Sequence, residues 1–204
     1  MKLNLGCGDV TPRGWVNVDY AIGARLRKLP LLGALSRRFL RCNWDRSIVL
    51  HDLRRAFPRA TESVDYVYSS HSLEHLTQRA GENFMRETFR VLRRGGVIRI
   101  VVPDLRLLVD RYLAGEADAP GFLSSLHAVD TADRPIATRV YSLLSGSGHR
   151  CMYDEASLTA LMTAAGFAAR RKAPFDSRIP SIGEIEGMAQ TEDTLIVEGV
   201  KPLM

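Results

Sequence analysis

The sequence predicts an α/β protein built on a doubly wound, mostly parallel sheet. Three observations carry this. Short strand-like runs alternate with helical patterns, a Gly-x-Gly turn closes the first run, and acidic or hydroxyl residues close several of the others. With 204 residues, 46% of them hydrophobic, the chain holds enough apolar material for one core, and a single domain over 1–204 is expected.

Seven strands are expected in order: 2–6 (KLNLG), 15–20 (WVNVDY), 47–53 (SIVLHDL), 64–70 (VDYVYSS), 96–103 (GVIRIVVP), 167–174 (FAARRKAP) and 194–201 (TLIVEGVK). Between the fourth and fifth, Met85, Thr88, Phe89 and Leu92 recur at helical spacing, and Gly95-Gly96 supply the stop. Leu105, Leu108, Val109, Tyr112 and Leu113 repeat that period after Pro103. Asp154 caps a further helix carrying Leu158, Leu161, Met162 and Ala165, which ends at Gly166. RPIATRVYSLL, within 120–150, predicts one more helix, followed by the flexible turn SGSGHR. Two insertions interrupt the layout, a basic one at 21–45 and one on the substrate side at 104–152.

No apolar run approaches the roughly 20 residues that span a bilayer, and the N-terminus lacks a signal-peptide layout, so a cytoplasmic location is expected. Cys7, Cys42 and Cys151 show no metal or disulfide spacing and are read as reduced thiols. The net charge of +5 is concentrated: residues 21–41 carry Arg25, Arg27, Lys28, Arg37, Arg38 and Arg41 with no acidic residue. One local anionic contact, a membrane surface or an anionic substrate, fits that better than nucleic acid does. A solvated basic surface fits equally well.

In an open parallel sheet, ligands bind at the carboxyl ends of the strands. Those ends carry Gly6 to Gly8, Asp19, Asp52, then Ser69, Ser70 and His71, and finally Pro103 and Asp104. Glycines let the backbone come close to a ligand, and an ionised carboxylate accepts hydrogen bonds from two neighbouring hydroxyls. HSLEH, residues 71–75, spells H-x-x-E-H, the inverted zinc-hydrolase signature. It follows a strand directly, which puts His71 at the strand end and Ser72 at a helix N-cap, so no metal is assigned to it. Helix-start hydrogen bonding is the expectation for Glu74.

LNLGCGD, WVNVDY, HDL, VDYVYSSHSLEHL and RETFRVLRRGGVIRIVVPDL, in this order, closely resemble the class I S-adenosylmethionine-dependent methyltransferases, in the branch acting mostly on small molecules. The resemblance implies a Rossmann-like seven-stranded sheet of order 3-2-1-4-5-7-6 with the seventh strand antiparallel. It implies S-adenosyl-L-methionine as cofactor. Asn4, Gly6, Cys7 and Gly8 would face its methionine part, Asp19 its ribose, and Asp52 with Leu53 its adenine. Ser69, Ser70 and His71 would border it on the substrate side.

Two departures stand out, Asn4 where many relatives carry an acid and Val10 where they carry a third glycine. Only DVTPRG separates Gly8 from Trp15, too little for a crossover helix, so the first helix is expected to be reduced or absent. The implied reaction moves a methyl group to a small molecule, such as a sugar, a glycolipid precursor or a secondary metabolite. His71 and His149 are the candidate bases, with Arg150 and Tyr153 as candidate substrate contacts. The strand-four end, SSHS, lacks the Asn/Asp-Pro-Pro-Tyr of nucleic-acid amine methylases. A non-catalytic cofactor-binding or scaffold protein is the main rival; the zinc hydrolase is a lesser one. A nicotinamide site would need a glycine where Thr11 stands.

Overall fold

The computed structural model describes residues 1–28, 44–127 and 148–203. The expected helix in RPIATRVYSLL and most of the basic segment, including Arg37, Arg38 and Arg41, lie outside these residues. All seven expected strands are present: β1 (Lys2–Leu5), β2 (Val16–Asp19), β3 (Val49–Leu50), β4 (Val64–Ser70), β5 (Leu92–Pro103), β6 (Ala168–Arg171) and β7 (Thr194–Val200). They form one sheet of order β3-β2-β1-β4-β5-β7-β6. β7 runs antiparallel to both neighbours, while β1 to β5 are mutually parallel.

The described helices are α1 (Ile22–Arg27), α2 (Gln78–Val91), α3 (Leu105–Leu113), α4 (Ala119–Ser125), α5 (Glu155–Ala164) and α6 (Met188–Thr191). Asp154 caps α5 as expected, its side chain accepting from the Ser157 amide at 2.8 Å. The stop of α2 differs from expectation. The helix gives way to strand at Leu92, and Gly95-Gly96 lie within β5, where its register against β4 shifts between Val64 and Tyr66. The glycines therefore serve a bulge in the strand.

Alternation along β5 divides the core between the two faces of the sheet. Ile98, Ile100 and Val102 pack with Leu3, Leu5, Phe84, Met85, Leu158 and Met162, under α2 and α5. Val97 and Val101 pack with Trp15, Tyr68, Ile179, Ile182 and Ile185, the last three from the irregular segment between β6 and β7. Arg99, between them on β5, is fully buried. Its Nε and Nη2 bond Glu186 at 2.6 and 2.8 Å, and its remaining donors reach Asp176 O, Ala173 O and, at 3.5 Å, Glu198. A guanidinium has five N–H groups, and here all five are used.

No helix joins β1 to β2. Residues 6–15 make the crossover as a tight loop pinned to β2, with the Gly6 and Cys7 amides donating to Val18 O at 2.8 and 3.1 Å. Among the described residues, no helix is long and apolar enough to cross a membrane.

Candidate functional site

The parallel order of β1 to β4 gathers the expected polar residues at one edge of the sheet. Gly6 follows β1 with φ +70°, and a Cβ there would stand 1.9 Å from Ser72 Oγ and 3.7 Å from Leu53 Cδ1. Both the left-handed backbone and the close approach of Ser72 require glycine. Gly8 has φ +56° with open space where a Cβ would be.

Asp19, at the end of β2, accepts from the Gly8 amide at 2.9 Å and the Ala21 amide at 2.7 Å. Burial pushes its carboxyl above the ordinary range, and these amides pull it back. A carboxylate has about four lone-pair positions, so two remain for a diol. Asp52 is more committed. It takes the Arg54 side chain at 2.8 Å on each oxygen and the Arg54 amide at 3.0 Å, and the guanidinium holds its pKa down. An adenine amine would have to share Asp52 with Arg54.

Asn4 lies beneath the loop. Its Nδ2 donates to Val10 O at 2.8 Å and Asn17 Oδ1 at 3.0 Å, which a carboxylate could not do. The Asn4 amide thus holds the shortened loop closed through the main chain of residue 10. Cys7 is buried beside it, its thiol pushed up to about 12, chiefly by burial.

The hydroxyls of Ser69 and Ser70, at the end of β4, are buried without a hydrogen-bond partner among the described residues. Orphaned donors beside a glycine loop and a free pair of carboxylate positions fit a polyhydroxylated ligand such as the expected cofactor. His71 follows with φ +49°, uncommon for a non-glycine residue. Its Nδ1 stands 3.4 Å from Glu74 and its Nε2 3.1 Å from Gln190 O. Glu74 raises its pKa, so both ring nitrogens face groups that favour a proton.

Ser72 does not cap a helix. Its hydroxyl donates to Gly6 O and Ser70 O, both at 3.1 Å, and only a 3-10 turn, Leu73–His75, follows. The two histidines of H-x-x-E-H therefore do not share a helix. Nor does the Glu74 carboxylate make a helix-start bond: both oxygens lack a hydrogen-bond partner among the described residues.

His149 arrives on the segment before α5, tied down where Glu74 O accepts the Arg150 and Cys151 amides at 2.8 and 3.1 Å. Its ring packs on His75 and His127, with centroids at 5.2 and 4.4 Å. Burial lowers its pKa to about 4, leaving it neutral at physiological pH. The Arg150 side chain is exposed and free of the core. Tyr153 is not placed to touch a substrate: it is buried in the core, its hydroxyl close to Gly81 of α2.

Sequence reasoning missed the covering segment, with Ile179, Ile182, Ile185 and Glu186. Its isoleucines at three-residue spacing were the available signal.

The model of the methyltransferase-domain family matches residues 3–100, just under half of the chain. No curated protein matches the chain significantly in sequence. Among solved structures, a SAM-dependent methyltransferase from Methanosarcina mazei is similar, with 16% identity and a TM-score of 0.53, over 100% of this chain and 92% of that one. The YcgJ protein of Bacillus subtilis has 13% identity and a TM-score of 0.53, over 98% and 91%. A chain in the complex of the Haloferax volcanii Trm112 methyltransferase activator with a methyltransferase has 15% identity and a TM-score of 0.50, over 98% and 82%. At these identities the likeness is one of fold.

Proposed function

We propose, from the match of residues 3–100 to the methyltransferase-domain family, that the chain is a class I S-adenosylmethionine-dependent methyltransferase and moves a methyl group to a small hydroxylated acceptor. The observation that carries this is the single sheet edge where Gly6, Gly8, Asp19, Ser69 and Ser70 converge with orphaned or half-used polar groups. The cofactor, when bound there, supplies an electrophilic methyl on a sulfonium. The protein's part is to align and to exclude water.

Asp19 holds the ribose hydroxyls with its two remaining acceptor positions, and it fixes the glycine loop through the Gly8 amide. Asp52 and Leu53 flank the adenine, Asp52 with less freedom because Arg54 occupies it. Asn4 and Cys7 act from below, shaping the loop. A hydroxyl acceptor must shed a proton, and the lone pair this needs belongs to the histidine cluster. His71 is held towards its protonated form by Glu74, whereas His149 stays neutral. Arg150 is exposed beside them and suits an anionic acceptor.

Calorimetric titration with S-adenosylmethionine and S-adenosylhomocysteine tests the reading. One-to-one binding is expected. It should weaken about tenfold or more in Asp19→Ala, since a hydrogen bond to a charged group contributes about 1.5–3 kcal/mol. Asp52→Ala should cost less. Absence of binding by the unaltered chain would instead favour a scaffold protein, the reading that the lost crossover helix and the occupied Asp52 support.

A further inference from the structure

Three of the chain's five histidines, His71, His75 and His149, gather around one buried carboxylate, and a fourth, His127, packs on His149. Glu74 is 1% exposed, and neither of its oxygens has a hydrogen-bond partner among the described residues. The 3.4 Å approach of His71 is an ion-pair contact without hydrogen-bond alignment. His149 Nδ1 is likewise buried and unpartnered. A carboxylate out of water costs several kcal/mol unless a cation or donors compensate it. Here a carboxylate met only by His71 and an imidazole without a hydrogen-bond partner stand side by side.

Three ligand atoms, one each from Glu74, His75 and His149, lie within 4.8 Å of one another. Around a tetrahedral ion with ligands at about 2.1 Å, such atoms stand about 3.4 Å apart. Small side-chain rotations close that gap. His75 is already oriented: its Nδ1 lies 3.3 Å from Gly148 O, and donation to that carbonyl leaves Nε2 with a free lone pair. The turn that carries Glu74 and His75 is also bonded to the glycine loop, through Ser72 Oγ and Gly6 O. The cluster therefore borders the proposed methyl-transfer site.

We propose that Glu74, His75 and His149 form a binding site for a divalent transition-metal ion, with a coordination position left over for an oxygen of the acceptor. Two imidazoles and one carboxylate suit zinc and its first-row neighbours, and three protein ligands characterise open rather than structural zinc sites. The site is not the H-x-x-E-H arrangement, because His71 turns to Gln190 and His149 takes its place. The acceptor's part rests on the methyl-transfer reading; ion binding does not.

The test titrates the metal-depleted full chain with Zn²⁺ by calorimetry and with Co²⁺ by visible absorption. One ion per chain is expected, with a ligand-field band for Co²⁺. Glu74→Gln, His75→Ala and His149→Ala should each weaken binding by about a hundredfold or more, since even outer-shell changes cost 10–100-fold. His71→Ala should stay within about tenfold. S-adenosylhomocysteine binding, measured beside it, reports whether each variant folds. Cofactor binding by a chain that takes no ion would overturn the metal site and leave methyl transfer standing. Equal loss of the ion in His71→Ala would also overturn it. Ion binding without cofactor binding would uphold the site and remove the methyl-transfer reading.

Discussion

Two of the places where the described residues bury charge treat it in opposite ways. Arg99 sits at the centre of β5 with all five donors used, facing Glu186 and Glu198, which themselves accept the Phe175 and Arg178 amides and the Ser177 hydroxyl. Glu74, beyond the end of β4, is buried as deeply, and among the described residues its carboxylate has no hydrogen-bond partner, only the 3.4 Å ion-pair contact of His71. The first cluster is closed and ties the covering segment to the sheet. The second is open, and an open buried charge at a strand end marks a place for something the protein binds.

The largest test of that contrast is stability. Arg99→Ala leaves two buried carboxylates uncompensated and should cost about 3–5 kcal/mol in urea unfolding. Glu74→Gln, in metal-depleted protein, removes a buried charge whose one partner among the described residues is the half-exposed His71, and should change stability by about 1 kcal/mol or less. If it matched Arg99→Ala, the open cluster would be structural after all. Smaller effects belong to the glycine loop. Gly6→Ala meets both a left-handed backbone and the Ser72 hydroxyl and should cost about 3 kcal/mol, while Gly8→Ala meets only the backbone and should cost about 1 kcal/mol. Thermal melts beside cofactor titrations would separate them. The smallest is chemical. With Cys7 raised to about 12, its thiolate fraction at pH 8 is about 10⁻⁴, so maleimide should spare it in the folded chain and label it in urea.

Most of the fold was legible because its signals are local. All seven strands, the caps of α5 and the missing first helix follow from periodicity and spacing, and the sheet order from resemblance. The site was half legible. That Gly6, Gly8 and Asp19 stand at one edge could be read because a strand end is a position in the chain. Asn4 was read only as facing the cofactor; its bond to the Val10 carbonyl could not be read, because loop closure sets that partner. Tyr153 and Ser72 look like polar contacts in sequence, yet packing turns one into the core and the other towards Gly6. The metal cluster was hidden for a plainer reason. HSLEH suggested two histidines on one helix, and the histidine that completes the set lies far along the chain at position 149.

The place of β7 bears on how the protein is made. Thr194–Val200 pairs with β5 on one side and β6 on the other, although it is the last strand of the sheet to leave the ribosome. Until then β5 has a bare edge along Val97–Pro103, rich in valine and isoleucine, the kind of edge that recruits other chains. A nascent chain stalled before residue 194 would be a target for chaperones or an aggregation hazard, and emergence of one seven-residue strand would end that exposure.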